Sequence, residues 1–345
     1  MTVQRALGID VPLVLGPFGG LSSVGLAAAV SDAGGLGSYG LYGYDPDRIT
    51  ATIAALRQAT TRPFAVNLWL PTGDEVTPDA VDVTAAAATA QPLFDAVGAT
   101  VPALPDRFLP DIDAQLDAVL SAAPPVLSVV YGVPSARLRA QTADRGIRLV
   151  GTATSVAEAR ALDEAGVDAI VASGAEAAGH RVSFLARAED SLVGTMALVP
   201  QVVDAVTAPV IAAGGIADRR GVAAAFALGA TGVQVGTAFL RTRQSAAPAG
   251  HRAAIAAAGD TDTVLTRVMS GRLARGIPNE ATRTLGAGAR LPFPAQNWLT
   301  GRFRAAAAAQ DRAEYLSLWA GQAAALARWD DAADVFAELA AGLPR

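Results

Sequence analysis

Eight short runs of apolar and β-branched residues recur along the chain, most followed by a longer alanine-rich stretch with helical spacing. The runs are Leu13–Gly16, Gly35–Tyr39, Phe64–Trp69, Val126–Tyr131, Ile147–Gly151, Ala169–Ala172, Val210–Ala213 and Gly232–Val235. Such alternation marks βα units, in which a parallel sheet is buried beneath helices. Eight units within residues 1–240 predict a closed (β/α)8 TIM barrel of the α/β class. An open doubly wound sheet is the alternative. It would carry a G-x-G-x-x-G turn after its first strand, and Gly16-Pro17-Phe18-Gly19-Gly20 lacks that spacing. The N-terminus, Met1 to Arg5, is read as leading straight into the first strand.

Helix signals fall between the runs. Ser155-Val156-Ala157-Glu158 has the form of a capping box, and Gly166 is a stop. Val156, Ala159, Leu162 and Ala165 then share one buried face. The segment Arg219 to Leu228 ends similarly at Gly229, and Thr77-Pro78 reads as a cap before a first-turn proline. Two stretches break the alternation. Residues 71–122 form a long Pro- and Asp-rich insertion within the barrel. Residues 241–345 are expected to form a helical extension that covers the barrel mouth. Stretches of this size usually serve as lids.

Composition narrows the chemistry. The chain has no cysteine and no lysine; all 27 basic residues are arginine. Thiolate nucleophiles, cysteine metal sites, Schiff bases and the P-loop lysine are thereby excluded. With only His180 and His251, a three-histidine zinc site is impossible, and no metal site is expected. A catalyst built from this chain needs a cofactor for its reactive centre. The net charge of −5 and scattered arginines argue against nucleic acid. No signal peptide and no 18-residue apolar run is visible, so a soluble cytoplasmic protein without membrane contact is expected.

In a barrel, function lies at the C-terminal ends of the strands. Glycine-rich turns follow the seventh and eighth runs, at Gly214-Gly215 and at Gln234-Val235-Gly236-Thr237. They make either tight βα turns or a phosphate cradle of backbone amides, and their joint occurrence in this order favours the cradle. His180 directly follows the sixth run, where it can reach a bound ligand. His251, in a polar alanine-rich context, reads as surface. Asn67 interrupts an apolar strand and must bond either neighbouring backbone or a polar ligand edge. Glu176 is either a carboxylate supporting the site or a charge at a helix N-terminus, the latter being preferred.

These segments together resemble the nitronate monooxygenase family, formerly called 2-nitropropane dioxygenases. The resemblance spans nearly the whole chain. It rests on Gly16-Pro17-Phe18-Gly19-Gly20, on Pro63 to Leu68, on Gly174 to Arg181 and on Leu198 to Val203. It continues through Pro209 to Asp218, Gly232 to Leu240, Pro292 to Gln296 and Trp319 to Gln322. It implies an FMN-dependent barrel that oxidises alkyl nitronates such as propionate 3-nitronate with O2, giving a carbonyl compound and nitrite, in a detoxifying role. By resemblance, Asn67 contacts the flavin ring, Pro17 and Phe18 line it, and Thr152, Ser173, Ala178 and Gly179 complete its surroundings. Gly214, Gly215, Gln234, Val235, Gly236 and Thr237 hold the phosphate and ribityl end, and His180 is the catalytic histidine. Ser173 stands where the family often has Gln, and Ala178-Gly179 where it has two glycines. The rival expectations are an FMN-dependent NAD(P)H:quinone or enoyl-acyl-carrier-protein reductase on the same barrel, and a non-enzymatic phosphate-ligand barrel. A homodimer is the assembly to test.

Overall fold

The computed structural model describes residues 1–344. Eight parallel strands form the barrel: β1 (Leu13–Leu15), β2 (Gly37–Gly40), β3 (Phe64–Trp69), β4 (Val126–Val130), β5 (Arg148–Ala153), β6 (Ala169–Ser173), β8 (Val210–Ala213) and β9 (Gly232–Val235). Between β6 and β8 lies the two-residue strand β7 (Gly179–His180), which belongs to another sheet. The barrel order is β1-β9-β8-β6-β5-β4-β3-β2. A bridge between Val14 and Leu36 closes the ring between β1 and β2. Predicted and observed strands differ by at most two residues at each end.

The barrel interior is filled by small and branched side chains, among them Val14, Ala65, Val126, Val150, Val171 and Ile211. The helix Val3–Leu7 plugs its bottom, with Val3, Ala6 and Leu7 packed into the same cluster. Direct entry from the N-terminus into β1 is therefore corrected: a helical turn comes first. It ends at Gly8, whose φ of +71° suits glycine. Outside the strands, a second layer of Leu, Ile and Val joins the sheet to the surrounding helices.

Local signals were followed unevenly. Helix Val156–Glu164 buries Ala159 and Leu162 completely and ends before Gly166 at φ +74°. Ser155 Oγ accepts from Glu158 N at 3.3 Å. The reciprocal half of the box is absent, because the Glu158 carboxylate turns into the protein instead. Thr77 caps nothing; Pro78–Ala80 is one 3-10 turn, and the helix of the insertion runs from Thr84 to Ala96. The flanking Val76, Val81 and Val83 pack against the cluster above the barrel from an extended segment instead of a helix.

The insertion and the C-terminal region share one core. Phe94 of helix Thr84–Ala96 meets Phe303 of helix Ala295–Ala309 edge-on, with ring centroids 5.6 Å apart. Leu93, Leu285, Leu299, Leu316 and Leu318 complete this cluster above the barrel. A small antiparallel sheet, β10 (Val264–Thr266), β11 (Ala274–Gly276) and β7, ties the same region to the segment after β6. The last helix, Ala332–Ala340, turns away from the mouth and packs outside, against the helices Val24–Asp32 and Arg219–Ala227. None of the helices is long and apolar enough to cross a membrane.

Candidate active site

A cavity of about 360 Å³ opens at the C-terminal ends of the strands. That is within the roughly 300–1,000 Å³ range of small-molecule sites. Two ends differ in chemistry. One is walled by glycine-rich backbone after β1, β8 and β9; the other is aromatic and holds His180.

Backbone approach builds the glycine end. A Cβ on Gly16 would lie 3.1 Å from Gly236 Cα, and one on Gly40 would lie 2.8 Å from the Phe18 carbonyl carbon. The loop of Pro17 and Phe18 therefore rests directly on its neighbours. Gly214 and Gly215, both on the cavity wall, have φ of +102° and +73°, which glycine adopts at no Cβ cost. The N–H groups of Gly215 and Gly236 find no acceptor among the described residues. Among the described residues no arginine lines this end. The Glu176 carboxylate nearby accepts from Thr195 N (2.9 Å) and Thr195 Oγ1 (2.9 Å). Glu176 is thus both a cavity-wall residue and the anion at the start of helix Thr195–Val203, so the two sequence readings coincide.

Of the sequence-derived site residues, Pro17, Phe18, Asn67, Thr152, Ser173, Ala178, Gly179, His180, Gly214, Gly215, Gln234, Gly236 and Thr237 all line the cavity. Val235 does not. Strand alternation turns it outward into the layer between strands and helices. Asn67 is buried and its Nδ2 donates to Ser128 Oγ at 2.9 Å and Ser128 O at 3.2 Å. Its amide is therefore held by β4 while its edge stays on the cavity wall. The left-handed torsion falls on Gly179 (φ +71°) and leaves Ala178 in ordinary backbone.

His180 is fixed from three sides. β7 pairs with β11, placing His180 opposite Ala274. The ring stands edge-on to Trp69 at 4.9 Å and 5.4 Å from Trp319. Its Nε2 lies 2.8 Å from Ser270 Oγ. Ser270 Oγ also lies 3.2 Å from Arg272 O, so its single proton is shared between two neighbours. Burial, with the charges of Arg272 and Arg304, pushes the His180 pKa down to about 3. The ring is neutral at physiological pH.

Composition and periodicity missed the residues that support this histidine. Arg272 is buried and ion-paired with Asp74 (2.8 Å) and Glu75 (2.7 Å) of the insertion. Its guanidinium lies 4.4 Å over Tyr131 and 4.0 Å over Phe293. Tyr131, at φ +70°, stacks on Trp69 at 5.0 Å. Tyr42, Asn297 and Arg304 also reach the cavity. The available signal was Arg272 and Arg304 lying in the C-terminal region opposite an acidic insertion, which becomes readable only once the two are known to touch.

His251 corrects the surface reading. It is 1% exposed, and its Nε2 donates to Trp319 O at 3.0 Å. Burial lowers its pKa to about 4. A histidine kept neutral in the fold but free to protonate when unfolded loses stability as pH falls below 6.5, down to its folded value. Between pH 6.5 and 5, His251 alone is expected to remove up to about 1.4 kcal/mol per pH unit, with His180 acting in the same direction. Urea midpoints measured at pH 7, 6 and 5 check this, and a flat series contradicts it.

Among the described residues no group of three His, Cys, Asp or Glu could hold a metal ion. Comparison with known proteins converges on one family. The profile of the "Nitronate monooxygenase" family matches residues 2–342. A "Probable nitronate monooxygenase" of Staphylococcus saprophyticus is 38% identical over 324 residues, covering 93% of this chain and 91% of that one. The solved structure of a nitroalkane oxidase from Streptomyces ansochromogenes has TM-score 0.88 and 36% identity, covering 97% of both chains. FabK from Thermotoga maritima follows with TM-score 0.75 and 30% identity, over 98% of this chain and 94% of that one.

Proposed function

Because the chain belongs to the nitronate monooxygenase family, we propose that this flavin-dependent oxidative enzyme uses FMN and oxidises alkyl nitronates of the propionate 3-nitronate type with O2. The products are a carbonyl compound and nitrite. One observation carries the choice of cofactor. The cavity joins unpaired amides on glycine backbone at one end to a neutral, aromatic-packed histidine at the other.

The residues fit FMN. Gly215 and Gly236 offer free N–H donors to a phosphate, and Thr237 begins a short helix beside them. These amides take the place of the missing lysine and need no arginine. Gln234 and Thr152 line the middle of the cavity, and Asn67 with the Pro17-Phe18 backbone offers polar edges to a planar ring. When bound, FMN supplies the redox centre that this chain's side chains lack.

The chain's own residues bind, orient and move protons. Trp69, Phe293 and Trp319 exclude water from the space beside His180. A nitronate has already lost its α-proton, so His180 orients it as a neutral imidazole. A neutral nitroalkane still carries that proton, and the His180 imidazole is the base that takes it.

The reading is tested by a visible spectrum of the purified protein followed by oxygen uptake. A yellow protein that releases FMN on heating and consumes oxygen with propionate 3-nitronate is expected. Rapid anaerobic bleaching by NADH, with none by the nitronate, would favour the reductase alternative. A colourless preparation would favour the phosphate-ligand barrel.

A further inference from the structure

The aromatic end of the cavity contains a cation that neither the cofactor nor the histidine explains. Arg304 projects from helix Ala295–Ala309 to the cavity wall that also carries Tyr42, His180, Asn297 and Trp319. It is the only arginine lining the cavity among the described residues. A guanidinium has five N–H donors. Here Nη1 donates to Ser317 Oγ at 3.1 Å, and Nη2 donates to Asn297 O at 3.1 Å and Asn297 Oδ1 at 2.6 Å. Nε is buried and has no partner among the described residues. No Asp or Glu pairs with Arg304, whereas Arg272 takes both Asp74 and Glu75.

The surroundings do not discharge this group. Tyr42, which accepts a hydrogen bond from Asn297 Nδ2 at 3.0 Å, has its pKa raised to about 12 by burial and stays neutral. His180 is neutral too. Burial lowers the Arg304 pKa to about 10, which leaves it charged at pH 7. Arg304 is half-buried with its Nε enclosed; a partly desolvated cation without a counter-charge is costly, and an anion that completes its hydrogen bonds recovers that cost. A structural role alone would be served by a neutral side chain bonded to Ser317 and Asn297. The charge is left facing the cavity.

We propose that Arg304 binds a planar two-oxygen anion of the substrate and so makes the cavity selective for anionic substrates. This deepens the nitronate reading and rests on it. Two groups share that chemistry: the nitronate oxygens themselves, and a carboxylate at the far end of a substrate such as propionate 3-nitronate. Both present coplanar oxygens to a guanidinium.

The test uses the purified holoenzyme with Arg304→Gln and Arg304→Lys. Thermal melts confirm that each variant is folded. Arg304→Gln is expected to raise KM for propionate 3-nitronate about tenfold or more, with kcat changing less, as for a lost charge-assisted bond. Arg304→Lys restores the charge without the planar fork and recovers part of the loss. Propyl 1-nitronate separates the two sources. A parallel rise in its KM places the nitronate oxygens on Arg304, and an unchanged KM places the distal carboxylate there. Calorimetric titration with sodium nitrite, a planar two-oxygen anion, gives a readout without turnover. Its affinity is expected to fall about tenfold in Arg304→Gln. Nitrite affinity equal in all three proteins, or absent from the wild type, overturns the assignment, as does an unchanged KM for both nitronates. A wild type that oxidises neither nitronate but binds nitrite through Arg304 would sink the reaction and leave the anion site standing.

Discussion

His180→Ala is expected to keep its flavin and to lose about 10²- to 10⁴-fold in kcat/KM toward neutral nitroalkanes, the scale of a removed general base. The loss toward preformed nitronates should be smaller, since no proton has to be taken from carbon. The expectation follows from position. His180 lies at the aromatic end of the cavity, with Trp69, Trp319 and Ser270 around it, and none of the glycine-rich backbone that fits a phosphate depends on it. The visible spectrum and steady-state rates with a nitroalkane and its nitronate check both halves. If the variant loses flavin and works normally after reconstitution, the assignment of His180 to the chemistry fails. The pKa adds a further constraint. A folded value near 3 means that His180 does not titrate between pH 5 and 8, so it contributes no inflection to the profile there.

The largest loss of stability is expected from Glu158→Ala. Glu158 is fully buried, and its carboxylate accepts from Thr154 N (2.7 Å), Thr154 Oγ1 (2.7 Å), Phe184 N (2.6 Å) and Leu185 N (3.2 Å). Beside it the buried Arg181 donates to Ser173 O (2.6 Å), Ser191 O (2.7 Å) and Thr154 O (3.2 Å). Truncation leaves three backbone amides, the buried Thr154 N among them, without this acceptor and removes the Glu158 charge that compensates Arg181. Such a loss costs about 3–5 kcal/mol. At roughly 2–4 °C per kcal/mol, Tm should fall by about 10 °C. Glu164→Ala, at an exposed position on the same helix, is the control and should change Tm little. Equal melting of the two variants would show that the network is not what holds the segment after β6.

The same residue shows where local sequence rules stop. The Ser155–Glu158 spacing correctly placed a helix start, but not the destination of the carboxylate. A capping bond to the chain's own backbone N–H offers little against the two amides brought by the segment 184–185, which is distant in sequence. His251 failed in the same way. Its neighbours are alanine, glycine and arginine, yet Trp319, 68 residues away, gives its ring both cover and an acceptor. Asn67 was legible as a polar residue requiring a partner, whereas its partner, Ser128, followed only from the registry of β3 with β4.

The eight barrel strands, the glycine turns after the seventh and eighth of them, and the place of His180 were fixed by the chain itself. They depend on period-two and period-3.6 patterning and on backbone torsions that glycine alone adopts freely, and these are local properties. The lack of lysine and cysteine likewise sets the need for a borrowed redox centre at the level of composition. The electrostatics of the aromatic end were decided by tertiary structure. The insertion 71–122 and the region after 240 share a core through Phe94 and Phe303, and that contact carries Asp74 and Glu75 to Arg272 and leaves Arg304 without a carboxylate. Charge pairing depends on distances of a few ångströms between segments some 200 residues apart, and no local pattern encodes such a distance.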